Sequence, residues 1–429
     1  MTATPGAATT RAPGYGRGAR ILSVGIATTG VVTFAYFSVA SHVLDDADYS
    51  SISLLWSVLF VTVSVIYRPI EQLLSRTIAR RRALGHDAGH PLRVPLLIQG
   101  GFALAFALAA LALRGPIQDD LFDGSAALFW VLFAAVLAYA ASYFARGWLA
   151  GHQWFGLYGG LVFLEATSRL LFALAVAVGI AEGATAVALG MAAAPFVSLV
   201  VVPWAFSRRA PDGPRRERAG DELTVARGGR FALAVLAIML AEQTLINGAV
   251  LTTELTAESA AVAGFVFHVL LIARAPLQLF QAVQGSLLPH LAGLEASDDR
   301  AAAHRAVRIT VLAIGGFALA VALGLVLAGP WVMDLLFEDG ASYGRWGLAL
   351  VGLGMGFHLM AGTLNQAALA REDAGRAAAA WLLTAVLFVA WLVAPAVEDR
   401  LLRAETGYLG AAALLCAFLT AIYRRSDKV

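Results

Sequence analysis

Arginine followed by glutamine at helical spacing, inside an apolar chain, suits the binding of phosphate. Arg68 is followed by Gln72 and Ser75, and 206 positions later Arg274 is followed by Gln278 and Gln281. At 100° per residue each trio falls within about 60° on one helical face. A guanidinium fork holds two oxygens at once and stays charged, and the amides and hydroxyl add hydrogen-bonding groups. Pro69 and Pro276 lie beside the two arginines, where proline bends a helix and frees carbonyls towards a cavity. The plainer reading is that both arginines snorkel to lipid headgroups. A headgroup anchor has no need of a matching glutamine one turn on, which favours phosphate.

Carboxylates supply the second chemistry. Glu165 and Arg169 stand at i,i+4 with the acid first, spacing that favours an intrahelical ion pair. Both lie in a run apolar enough to span a membrane, where an unpaired charge costs roughly 2.5–3.5 kcal/mol. Arg169 then either stays neutralised by Glu165 or meets an anionic substrate when that acid protonates. Glu242 has Gln243 beside it, Asn247 one turn beyond Gln243, and no cation nearby in sequence. It is a candidate for a coupling ion or proton; the alternative is a protonated acid bonded to a neighbouring helix. Glu242, Glu165 and Asn247 are therefore the coupling candidates. His268 and His358 read as packed interhelical donors.

These residues must be carried by membrane helices. Mean hydropathy is +0.74, and only 14% of residues are charged, against about 25% in soluble domains. Apolar blocks of roughly 18–25 residues match the hydrocarbon thickness. The expected fold is all-α and polytopic, with twelve spans near 21–43, 52–74, 92–113, 126–146, 157–179, 184–206, 229–250, 260–284, 305–328, 345–364, 377–396 and 406–423. Residues 1–20 read as a disordered cytosolic tail and 207–228 as a basic cytosolic linker between lobes at 21–206 and 229–429. GGFALAFAL from Gly100 returns as GGFALAVAL from Gly315. Six spans per half is an even number, so the two lobes enter in the same direction as parallel repeats. With both termini inside, 26 of the 31 Lys and Arg residues lie in cytosolic segments or in the cytosolic halves of spans, the positive-inside pattern.

Enzyme signatures are wanting. The chain has no GxxxxGK, no HExxH and no Cys/His metal spacing, and its single lysine is Lys428. Cys416 is the sole cysteine, so no intrachain disulfide forms. Asp46 and Asp48 resemble the acidic pair of membrane glycosyltransferases, but their loop is only a few residues long. Asp48 reads better as the N-cap of the second span, with Glu254 as its repeat counterpart. No enzyme activity, cofactor, metal or nucleic-acid partner is expected.

The stretches RPIEQLLSR (Arg68–Arg76), RAPLQLFQAVQGSLLPHLA (Arg274–Ala292), FARGWLAGHQWFGLYG (Phe144–Gly159) and LNQAALAREDAGRAA (Leu364–Ala378) resemble the multidrug/oligosaccharidyl-lipid/polysaccharide (MOP) exporter superfamily. Within it the chain is most similar to polysaccharide flippases of the Wzx type. The resemblance implies two six-helix bundles around a cavity, alternating access in the cytoplasmic membrane, and an undecaprenyl-diphosphate-linked oligosaccharide as substrate. Polysaccharide assembly proteins are the partners implied beside the lipid bilayer. On this reading Arg68, Gln72, Arg274, Gln278, Gln281 and Arg169 bind substrate. The drug-exporting branch commonly carries an acid in its first helix; Ile21–Val43 has none. The alternatives are a drug/cation antiporter of the same superfamily, a membrane glycosyltransferase or polysaccharide polymerase, and a transport-dead scaffold.

Overall fold

A computed structural model describes residues 15–85, 92–207, 223–256, 280, 284–336, 344–394 and 397–426. Eleven of its helices are long and apolar enough to cross a membrane. They are α1 (Tyr15–Val43), α2 (Asp46–Ala83), α3 (Arg93–Ala112), α4 (Ala126–Gly151), α5 (Phe155–Ala177), α6 (Gly183–Ser198, extended by a short helix Val201–Ser207), α7 (Val225–Thr256), α9 (Arg300–Leu336), α10 (Arg345–Ala370), α11 (Ala374–Val393) and α12 (Arg400–Ser426). A helical stretch at 284–296, α8, stands at the end of the remaining expected span. Most of that span, with His268, Arg274, Gln278 and Gln281, lies outside the described residues, as do 1–14 and 208–222. α1 already begins at Tyr15, inside the segment expected as a disordered tail.

Local chemistry sets the helix ends. Asp45 sits in extended backbone, and its carboxylate accepts the Asp48 N–H at 2.8 Å, capping α2. The cap is thus Asp45 rather than Asp48, which falls in the first turn, where its charge complements the helix dipole. Ser125 caps α4 in the same way, accepting from the Leu128 N–H at 3.3 Å. After α4 and after α10 the chain turns through a left-handed residue, Gln153 (φ 60°) and Glu372 (φ 68°).

Packing repeats with the sequence. In the first half α1 packs on α5, α5 on α6, α4 on α6 and α3 on α4. In the second half α7 packs on α11, α11 on α12, α10 on α12 and α9 on α10, the same pairs six helices later. Two lobes of one architecture follow, entered from the same face. The lobes meet where α2 and α3 contact α7. Leu73 belongs to the apolar cluster of the second lobe, and a Cβ built on Gly228 would lie 3.0 Å from Ile98 Cδ1. These contacts lie towards the face from which α1 starts and on which α12 ends, here called the termini face.

Within the first lobe α2 and α4 approach at backbone distance. A Cβ on Gly147 would meet the Glu71 carbonyl oxygen at 2.8 Å, and one on Gly151 would meet Ile78 Cβ at 2.7 Å. Glycines four residues apart allow this approach between membrane helices. It also redraws the expected polar stripe. Ser75 is buried in that contact, its hydroxyl donating to the Gln72 carbonyl at 3.2 Å, so only the Arg68 end reaches the lobe junction.

Candidate functional site

Arg68 crosses between the lobes. Its Nη2 donates to Gln284 Oε1 of α8 at 3.3 Å. The guanidinium also interacts electrostatically with Glu71, one turn on, and with Glu242 of α7. Glu71 is buried and accepts the Tyr158 hydroxyl of α5 at 2.7 Å. Glu242 Oε1 lies 3.7 Å from His358 Nε2 of α10, whose ring sits between those of Trp381 and Tyr408. The order across the junction is acid, arginine, acid, histidine.

Glu242 therefore has two neighbours, an arginine and a histidine, that sequence spacing does not indicate. Both come from other helices, and one comes from the other lobe. The two ring nitrogens of His358 make no hydrogen bond among the described residues, and its Nε2 faces Glu242 of a neighbouring helix. Asn247 bonds along its own helix to the Gln243 carbonyl and Oε1, both at 3.1 Å. Gln72 is buried, and its Oε1 has no partner among the described residues. If Glu242 carries the coupling proton, Glu242→Gln makes transport independent of pH while the protein still folds. The check is uptake into proteoliposomes across a pH series, where an unchanged profile removes Glu242 from coupling.

The second polar cluster lies inside the first lobe, and its ion pair differs from the expected one. Glu165 pairs with Arg146 of α4 rather than with Arg169. It also accepts from Ser142 of α4 and, at 3.4 Å, from Ser198 of α6. The apolar run alone puts Arg146 at the inner boundary of its span. In the structure α4 runs on to Gly151, so Arg146 is buried. The α4–α5 hairpin puts Glu165 only roughly five residues deeper than Arg146, about 7 Å of rise, within the reach of an arginine side chain. Arg169 instead donates to the Tyr139 hydroxyl at 2.9 Å and lies over Phe60, 5.1 Å from the ring centre. Aromatic faces attract a guanidinium, and this cage holds Arg169 without a carboxylate.

A third group closes the termini face. Glu372, in the α10–α11 turn, accepts from Arg80 at 2.5 Å and lies 3.3 Å from Arg76, both on α2 of the opposite lobe. Arg76 also stacks over Phe231 of α7 at 5.1 Å. The neighbouring Arg371 pins the turn to its own lobe through Glu295 at 2.6 Å and the Tyr423 ring at 4.3 Å. No group of three or more His, Cys, Asp or Glu residues placed to hold a metal occurs among the described residues.

No family model matches the chain. Two curated relatives, the uncharacterized proteins Rv1510 and MT1558/MT1560 of Mycobacterium tuberculosis, are each 26% identical over 344 residues, covering 78% of this chain and 75% of theirs. Solved structures align over nearly the whole length at low identity. The MATE transporter ClbM in complex with Rb+ gives a TM-score of 0.79 at 12% identity, covering 97% of both chains. The eukaryotic MATE transporter AtDTX14 gives 0.75 at 13%, covering 96% of this chain and 98% of its own. The Vibrio cholerae MATE transporter VcmN in its bent form gives 0.70 at 15%, covering 96% of this chain and 98% of its own. At such identities the likeness speaks for architecture: the chain is a multi-pass membrane protein with the two-lobed fold of MATE transporters.

Proposed function

We propose that the protein is a secondary transporter of the Wzx-like kind. It moves an undecaprenyl-diphosphate-linked oligosaccharide from the inner to the outer leaflet of the cytoplasmic membrane by alternating access, with both termini cytosolic. The observation that carries this reading is Arg68, an arginine at the junction of two lobes that must separate. Its hydrogen-bond partner there is a neutral amide, Gln284, at 3.3 Å, while the carboxylates of Glu71 and Glu242 act on it electrostatically. A diphosphate arriving from the termini face outcompetes an amide, because it offers the guanidinium fork two anionic oxygens at once where the amide offers one neutral oxygen. Arg274, Gln278 and Gln281 are assigned to the same role by repeat symmetry. Arg169, caged and deeper, is a second contact.

A drug/cation antiporter is the competing reading, and Glu242 beside His358 favours it, since a buried carboxylate suits cation or proton exchange. Surface polysaccharide in a flippase-null strain, normalised to inserted protein, separates the two. Arg68→Lys keeps the charge and loses the fork, so it is expected to lower transport moderately; Arg68→Ala lowers it at least tenfold. Wild-type activity per molecule in Arg68→Ala refutes the diphosphate role, and export of cationic dyes by the purified protein favours the antiporter.

A further inference from the structure

The termini face carries an arginine-rich seam with one carboxylate reaching across it. Arg76 and Arg80 of α2 approach Glu372 directly, and Arg227, in the first turn of α7, adds to the field on it. Arg81 lies next to Arg80 in sequence, and its Nε is buried without a hydrogen bond among the described residues. Arg76 is nearly enclosed, with 12% of its side chain exposed, and its Nε has no hydrogen bond among the described residues. Among the described residues positive charge exceeds negative around Glu372, and the Arg76 Nε keeps donor capacity beside it. Glu372 itself is half exposed and held in left-handed backbone, a conformation uncommon for a residue other than glycine. Its side chain can swing into solvent without unfolding anything.

We propose that Arg76 and Arg80 form an anion site for which Glu372 is the resident stand-in, and that a diphosphate group displaces Glu372 and thereby unlocks the termini face. The inference deepens the flippase reading and rests on it for the identity of the diphosphate's bearer. Glu372 supplies one carboxylate to two guanidinium forks, whereas a diphosphate supplies several anionic oxygens and satisfies both forks at once. Each lobe then gains separately. Arg76 and Arg80 then keep a counter-anion after leaving Glu372.

Protonation cannot do the same work near neutral pH. Burial pushes the Glu372 carboxyl up, but Arg76, Arg80 and Arg227 outweigh it and hold the group below the usual carboxylate range. A depressed acid contributes its stabilisation above its unfolded pKa, about 4.3, and loses it only as pH falls through the lower folded value. The carboxylate therefore stays ionised at any ordinary cytosolic pH, and protonation does not release the contact.

The test measures the separation of the lobes in the full-length protein in nanodiscs. In a Cys416→Ala background, Ala83→Cys and Gly375→Cys take spin labels at exposed sites on the two sides of the seam. Millimolar inorganic pyrophosphate is expected to shift the distance distribution to longer values in lipid of zero net charge. Glu372→Gln shifts it without pyrophosphate and binds pyrophosphate roughly tenfold tighter, as when an intramolecular competitor is removed. Arg76→Lys with Arg80→Lys keeps the seam closed but blunts the response.

An unchanged distance with pyrophosphate in the wild type overturns the proposal, as does weaker pyrophosphate binding in Glu372→Gln. Opening by phosphatidylglycerol nanodiscs alone overturns the assignment to a diphosphate and makes the ligand a bilayer headgroup. Pyrophosphate-driven opening in a protein that moves no oligosaccharide supports the site and refutes the flippase reading. Oligosaccharide transport with no pyrophosphate response supports the flippase and refutes the site.

Discussion

Arg146→Met is expected to cost the first lobe about 3–5 kcal/mol, the range seen when one member of a buried ion pair is removed. Glu165 is 1% exposed, and after the substitution only the Ser142 and Ser198 hydroxyls remain to solvate it. Two neutral donors do not replace a guanidinium in a medium that punishes bare charge. Removing both charges together, as Arg146→Met with Glu165→Leu, is expected to recover most of the loss, since apolar replacement of a whole buried pair is often neutral or better. Arg169→Met is expected to be mild, because among the described residues it deletes a cation with no ion pair and leaves the neutral Tyr139 hydroxyl. Thermal unfolding of the purified protein, followed by tryptophan fluorescence, ranks the three. A larger loss for Arg169→Met than for Arg146→Met would restore the intrahelical pair that the spacing suggests and discard the interhelical one.

Gly147→Ala is expected to destabilise by about 1–3 kcal/mol, the usual cost of overpacking, and to impair transport as well. The added methyl meets the Glu71 carbonyl oxygen at 2.8 Å and the Glu71 Cα at 2.9 Å. No rotamer relieves a clash between a Cβ and backbone, so α4 must move off α2. That movement disturbs Glu71, its Tyr158 partner and Arg68 one turn before it. Gly160→Ala on α5 is the matched control, because a Cβ there meets nothing within 4 Å. Alanine's better helix propensity gives that variant neutral or slightly raised stability, by at most about 1 kcal/mol. Equal melting temperatures for the two variants would contradict the close contact of α2 and α4.

The membrane class, the repeat and eleven of the twelve spans are legible in the sequence because hydropathy reports on each segment alone. Partners across helices are not. Glu165 has one arginine four residues on in its own helix and another across the hairpin, and sequence spacing displays only the first. Glu242 looks solitary in sequence for the same reason, since His358 and Arg68 come from other helices. Helix ends escape the hydropathy pattern where charged turns continue past the apolar run, as in α2 to Ala83 and α4 to Gly151. That is why Arg146 reads as a boundary residue. Glu372 carries no signal at all, because a single acid in a short turn has meaning only through what the other lobe brings to it. The repeat-related trio at Arg274, Gln278 and Gln281 lies outside the described residues, so the structure places only the first-lobe half of the stripe.

Pro69 lies within α2, between the residue that bridges the junction and the two that reach Glu372. Its missing N–H leaves the helix weakest there. The portion beyond acts as a lever arm. From Pro69 to Arg80 the axis rises roughly 16 Å, so flexing by about 10° at the proline sweeps the tip through about 3 Å. The Arg80–Glu372 bond is 2.5 Å long, and a displacement of that size takes it beyond contact. A small rotation at the fulcrum beside Arg68 is thereby magnified into making or breaking the seam, and α4, packed on this arm at Gly147 and Gly151, must move with it.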